Sequence, residues 1–96
     1  MYVKKIVCLA NSMKKGGNCI AGREVLENGY GGWIRPVSAR PSAELSFAEY
    51  KYETGGYCQL LDIADIPLSR AEPRGHQTEN HVIDAACRWT RAGRAS

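Results

Sequence analysis

Ten residues, Gly31-Gly32-Trp33-Ile34-Arg35-Pro36-Val37-Ser38-Ala39-Arg40, narrow the folds open to this chain. The paired glycines let the backbone turn tightly, and Asn28-Gly29 just ahead adds a hairpin signal. Trp33 to Val37 then reads as a short strand. Pro36 has no amide hydrogen to give a ladder, so this strand lies at a sheet edge or ends there. On an extended backbone Trp33, Arg35 and Val37 share one face, and Ile34 and Pro36 share the other. An indole and a guanidinium two residues apart on one face are parts that stack on a base and pair with a phosphate.

Other short strands bracket this stretch. Val3 to Leu9 is rich in β-branched and apolar residues, and Cys19 to Val25 is a second candidate in which Gly22 suits a bulge. Between them Asn11 to Asn18 reads as a polar loop with Lys14 and Lys15 at its tip. Ser46 followed by Glu49 is a capping-box pattern, which predicts a short helix over about Phe47 to Glu53 that buries Phe47 and Tyr50 and ends at Thr54-Gly55-Gly56. Gln59 to Ile66 is the most apolar run and reads as a central strand closed by Pro67. Ser69 to Gly75 is a basic connection, and Gln77-Thr78-Glu79-Asn80 a compact polar run before a strand at His81-Val82-Ile83. Asp84 to Trp89 suits a helical turn with Ala85, Ala86 and Trp89 inward, and 91–96 a frayed end.

Ninety-six residues make one domain, with its core over about residues 3–84 and a tail over 85–96. Several short strands with one helix between the third and fourth is the connectivity of a small five-stranded OB-like barrel, mostly β. An SH3-like barrel or a small α+β fold fits nearly as well. The net charge of +3 is unevenly spread. Residues 1–40 carry seven Lys/Arg against two Glu, whereas 41–66 carry five Asp/Glu against Lys51 alone. Such a dipolar surface steers a polyanion toward the basic side. The apolar run Ile6 to Ala10 is too short for an export signal, which needs roughly 7–15 residues, and nothing approaches a membrane span. The expectation is a cytoplasmic protein whose four cysteines are reduced thiols.

Four segments occur in order: Lys5-Ile6-Val7-Cys8-Leu9-Ala10-Asn11-Ser12, Gly31 to Ser38, Leu60-Leu61-Asp62-Ile63 and Gln77-Thr78-Glu79-Asn80. Together they resemble the bacterial family described as the dual OB-containing domain, from about Val3 to Asp84. The resemblance implies an OB-type barrel and, by analogy with OB domains at large, association with nucleic acid. It implies no reaction. The family's name calls for two barrels where this length holds one, so the expectation is either the first half of a longer arrangement or a shortened member. A second OB domain, or a second copy of the chain, is then a candidate partner.

The candidate nucleic-acid-binding residues are Trp33, Arg35, Arg40, Lys14, Lys15 and Tyr30, stacking platforms and cations for a single strand bound with little sequence preference. Against this, Trp33 can sit in the core with Arg35 capping it through its aliphatic stem. Gln77, Thr78, Glu79 and Asn80 form a possible polar ligand site, since amides and a carboxylate read base edges. The same residues also make turns and local caps. Cys8, Cys19, Cys58, Cys87, His76 and His81 lack the paired spacing of a zinc site, so no metal and no cofactor is expected. Cys58 or Ser38 can be combined on paper with His76 or His81 and Asp84, but no strained nucleophile turn marks a catalytic site. Asp62 and Asp65, in an apolar strand, have raised pKa values if buried alone, or bond to the backbone at a barrel rim.

Overall fold

The computed structural model describes residues 1–14, 17–40, 43–73 and 75–95. Within them run β1 (Tyr2–Lys14), β2 (Gly17–Leu26), β3 (Gly29–Val37), a 3-10 turn (Phe47–Tyr50), β4 (Asp62–Ala71), β5 (Asn80–Ile83) and β6 (Thr90–Arg94). Pairing runs β1-β2-β3-β5-β4, and β4 pairs back to β1, which closes five strands into a ring. The β3–β5 contact is parallel and the others are antiparallel. This is the OB-like barrel expected from the strand order. Closure removes the exposed edges that a flat sheet of five strands would carry.

The alternation of side chains fills the interior. Ile6, Cys8, Ile20, Ile34, Leu45, Ala64, Ile66, Leu68 and Ile83 point inward, joined by Tyr50, Tyr52, Cys58 and Trp89. Gly22 is required where β1 and β2 cross. A Cβ at that position would overlap the Val7 carbonyl oxygen, and the β1 register shifts by one between Cys8 and Ala10 just opposite. That bulge turns Ala10 and Ser12 outward, which matters for the site below.

Several boundaries differ from those read in the sequence, each for a physical reason. Asn11 to Lys14 extend β1 instead of forming a loop, because β2 begins at Gly17 and pairs back through Lys14. The hairpin from β2 to β3 turns at Glu27-Asn28, one residue before the Asn28-Gly29 signal, with Leu26 opposite Gly29. Of the two outcomes Pro36 allowed, the edge is not found, since β3 pairs with β5 there, whereas the strand does end one residue on, at Val37. The Ser46–Glu49 box does form, the Ser46 amide donating to Glu49 Oε1 at 2.8 Å, but it opens only one 3-10 turn ending at Tyr50. Tyr50 is buried as expected, whereas Phe47 is 55% exposed against Tyr57. Of the inward residues expected after Asp84, Trp89 is fully buried and Ala85 and Ala86 are exposed. Arg91 to Arg94, expected to fray, instead continue from Thr90 as β6 and pair with β4.

Pro67 does not close β4, which continues to Ala71. On one edge β4 meets β6 through Asp65 and β5 from Leu68, so Ile66 and Pro67 fall in the gap between them. The Pro67 carbonyl accepts from the Asp84 amide on that side. The nitrogen of a strand residue points the same way as its carbonyl, so the missing N–H faces the gap, where no ladder donor is needed.

Candidate nucleic-acid interface

The outward face of β1–β3 is floored by small residues. Ala10 pairs with Ala21 and Ser12 with Cys19, so two adjacent cross-strand pairs leave a low surface. On β3 the next outward side chains are Trp33 and Arg35. The connection ahead of β5 comes over this floor and adds Gln77 and Glu79. The eight residues line one open cleft of about 560 Å³. Parallel pairing brings the connection there: Arg35 lies opposite Asn80, and the Arg35 amide donates to the Glu79 carbonyl at 2.9 Å. The Arg35 guanidinium then donates through Nε to Glu79 Oε1 at 3.2 Å. Behind them Asn80 is buried and donates through Nδ2 to Gln77 Oε1 at 3.2 Å, which fixes the Gln77 side chain from below.

Trp33 is 52% exposed. Its indole stands outward, as the two-residue alternation requires, and is not core. Two sets read separately in the sequence therefore meet: Trp33 and Arg35 from one, Gln77 and Glu79 from the other. Thr78 is exposed outside the cleft lining, and Asn80 acts from beneath it. Arg40 does not line the cleft. It donates to the Glu44 carbonyl and lies 3.7 Å from Glu49 Oε1. Tyr30 borders a separate hollow of about 250 Å³ with Val7, Leu9, Arg23, Leu61 and Ala95. Lys15 and the Lys14 side chain lie outside the described residues.

Arg23 was not singled out in the sequence. It pairs directly with Trp33 across β2 and β3, so both side chains share the outward face. Its guanidinium lies 5.9 Å from the centre of the Tyr30 ring, and its Nε donates to the Gly31 carbonyl at 3.0 Å. Finding it takes both the turn at Glu27-Asn28 and the register shift between Arg23 and Val25, without which Arg23 would fall opposite Gly32.

A second ionic cluster lies on β4. The buried Asp62 accepts from the Tyr52 hydroxyl at 2.9 Å, the Gln59 amide at 3.0 Å, Arg91 Nε at 3.4 Å and Arg94 Nη1 at 3.3 Å. Burial pushes its carboxyl up, but the Gln59 amide, the Tyr52 hydroxyl and Arg91 more than offset this and hold the pKa below its ordinary value. The imagined catalytic trios do not assemble. Cys58 is buried in the core, the Ser38 hydroxyl donates to Glu49 at 2.8 Å, and His81 Nδ1 lies 2.6 Å from the Tyr2 hydroxyl. Burial, with Lys4 nearby, lowers the His81 pKa.

Comparison with known proteins bears directly on this barrel. The family model described as the dual OB-containing domain matches residues 4–96. The chain belongs to that family. The match includes β6, so the final strand belongs to the domain pattern as well as to the sheet. No curated protein matches the chain, and no solved structure does. Among the described residues no helix is long and apolar enough to cross a membrane.

Proposed function

We propose that this OB-type module binds single-stranded nucleic acid, with little sequence preference along most of the strand, in the bacterial cytoplasm. The observation that carries the reading is the half-exposed Trp33 indole standing in a cleft with Arg35, with Arg23 beside it on the same face. In OB barrels the face of the second and third strands, with the first hairpin loop and the loop between the fourth and fifth strands, is where oligonucleotides lie. Here that face supplies Trp33, Arg35 and Arg23, and the loop between β4 and β5 supplies Gln77 and Glu79. A base stacks on the indole while the guanidinium groups follow the phosphates. Arg35 already holds Glu79, so it contributes a neutralised pair with spare N–H donors more than a bare cation, and Arg23 supplies the less compensated charge.

Fluorescence anisotropy with labelled DNA and RNA single strands tests this. Binding should weaken as salt rises, with a log–log slope of about −0.7 for each phosphate neutralised. Trp33→Ala should lose about 1–3 kcal/mol, roughly 5- to 150-fold in affinity, with an unchanged melting temperature. Binding of the variant equal to that of the parent would sink the assignment.

A second reading has one observation on its side. Leu9, Tyr30 and Leu61 are each at least two-fifths exposed around the hollow beside Arg23. A barrel that pairs with a second copy would cover them. Light scattering separates the two: a monomer that binds oligonucleotide supports the first reading, and a dimer that does not bind supports the second.

A further inference from the structure

We infer that the cleft selects one guanine base at a single position of the bound strand; this rests on the single-strand reading above and names what the Trp33 cleft would hold. The inference comes from the polarity of the cleft wall. Gln77 is held by its carbonyl end, because the buried Asn80 donates to Oε1 at 3.2 Å. Both amide hydrogens remain unspent, beside one Oε1 lone pair, so Gln77 can donate toward the cleft. Glu79 is a carboxylate and can only accept. Its Oε1 takes one bond from Arg35 and keeps a lone pair, while Oε2 has no partner among the described residues. The wall thus offers the Gln77 amide as a donor beside the two carboxylate oxygens of Glu79 as acceptors.

The pairing edges of the bases differ in how many donors stand side by side. Adenine, cytosine and thymine or uracil each carry one donor group on that edge. Guanine carries two, N1–H and the 2-amino group, next to the O6 acceptor. A carboxylate takes both donors at once, and an amide N–H reaches O6. The Gln77–Glu79 wall therefore complements guanine. Trp33 offers the ring for its face, and a cleft of about 560 Å³ lies within the roughly 300–1,000 Å³ of small-ligand sites. Arg35 offsets the negative charge of Glu79, so the carboxylate does not repel the strand that brings the base in.

The test uses labelled thymine tracts with one central base replaced by guanine, hypoxanthine, adenine or cytosine. Hypoxanthine is guanine without its 2-amino group, so it removes one of the two bonds to Glu79 and nothing else. The guanine tract should bind roughly 5- to 50-fold tighter than plain thymine, and hypoxanthine should lose most of that gain. Glu79→Gln should erase the difference between guanine and hypoxanthine, with circular dichroism confirming that the variant folds. Equal binding of all tracts would overturn the guanine site and leave the single-strand reading standing. Failure of every tract to bind would remove both. Guanosine monophosphate is the last arm. It should compete weakly, since it lacks the neighbouring phosphates, and competition as strong as that of the guanine tract would overturn the strand as the source of the base.

Discussion

In the cleft Arg35 and Glu79 meet at 3.2 Å; on β4 Asp62 meets Arg91 and Arg94 at 3.4 and 3.3 Å. The chemistry is the same, and the surroundings set the two apart. The Asp62 side chain is 5% exposed and accepts four hydrogen bonds, two of them from the Tyr52 hydroxyl and the Gln59 amide. The Glu79 side chain is 22% exposed and accepts one, from Arg35. The hollow beside Asp62 holds about 210 Å³ and that beside Glu79 about 560 Å³. A carboxylate with every lone pair used holds the fold together. One with spare acceptors beside an open space is available to a ligand.

The largest way to break this contrast is Asp62→Ala. It leaves the Tyr52 hydroxyl, on a nearly fully buried side chain, and the Gln59 amide without an acceptor, at about 1–3 kcal/mol each. Arg91 and Arg94 are about half exposed and return to water, so they add little. The expected loss is about 2–6 kcal/mol in urea unfolding, and a fall in melting temperature of at least about 8 °C for a domain of this size. Oligonucleotide affinity of the fraction still folded should not change. A variant that melts like the parent would mean that the Asp62 network does not hold β4 to the chain around it.

How far the sequence reveals these two sites follows from how local each is. Trp33 and Arg35 are legible because strand alternation puts them on one face whatever the rest of the chain does. Glu79 joins Arg35 through a parallel pairing between β3 and β5, 44 residues apart, and no local pattern announces that partner. Arg23 needed the hairpin register and also the shift between Arg23 and Val25; a one-residue slip flips every side chain, and the actual turn falls one residue ahead of the strongest turn signal. Asp62 stood out as a carboxylate in an apolar run, and that run suggested a raised pKa. Its donors reverse the direction, and two of them lie on β6, in a basic segment that reads as a loose end. Pro67 misled in the same way: a strand breaker is harmless where a gap between two partners falls.

Acidification sharpens the comparison at a smaller scale. The folded state holds the Asp62 carboxyl below its ordinary 3.8 and the Glu49 carboxyl below its ordinary 4.5. At Glu49 burial pushes upward, and the amide and side chain of Ser46, the Ser38 hydroxyl and Arg40 outweigh it. Both groups are depressed on folding, so the unfolded chain takes up protons first as pH falls. The stability they contribute is present above about pH 4.5 and is lost as pH drops through the two folded values. Urea titrations at about pH 7 and about pH 3 should show the parent losing more stability than Asp62→Asn, which retains only the Glu49 share. Equal losses would mean that the Asp62 bonds do not favour the charged form.

The smallest effect expected on stability is that of Glu79→Gln. The Arg35–Glu79 pair is only partly buried and its ends remain in contact with water, so Coulomb attraction is screened and the pair contributes about 1 kcal/mol or less. The backbone bond from the Arg35 amide to the Glu79 carbonyl survives the substitution and keeps the loop on β3. Glutamine also keeps an acceptor for Arg35 Nε. The expected shift in melting temperature is therefore no more than about 4–8 °C, at most about half that of Asp62→Ala, measured under identical salt. A loss as large as that of Asp62→Ala would show that the cleft carboxylate is a structural group like its counterpart on β4. The spare acceptor would then have no claim to a ligand, because evacuating either site would cost the fold the same.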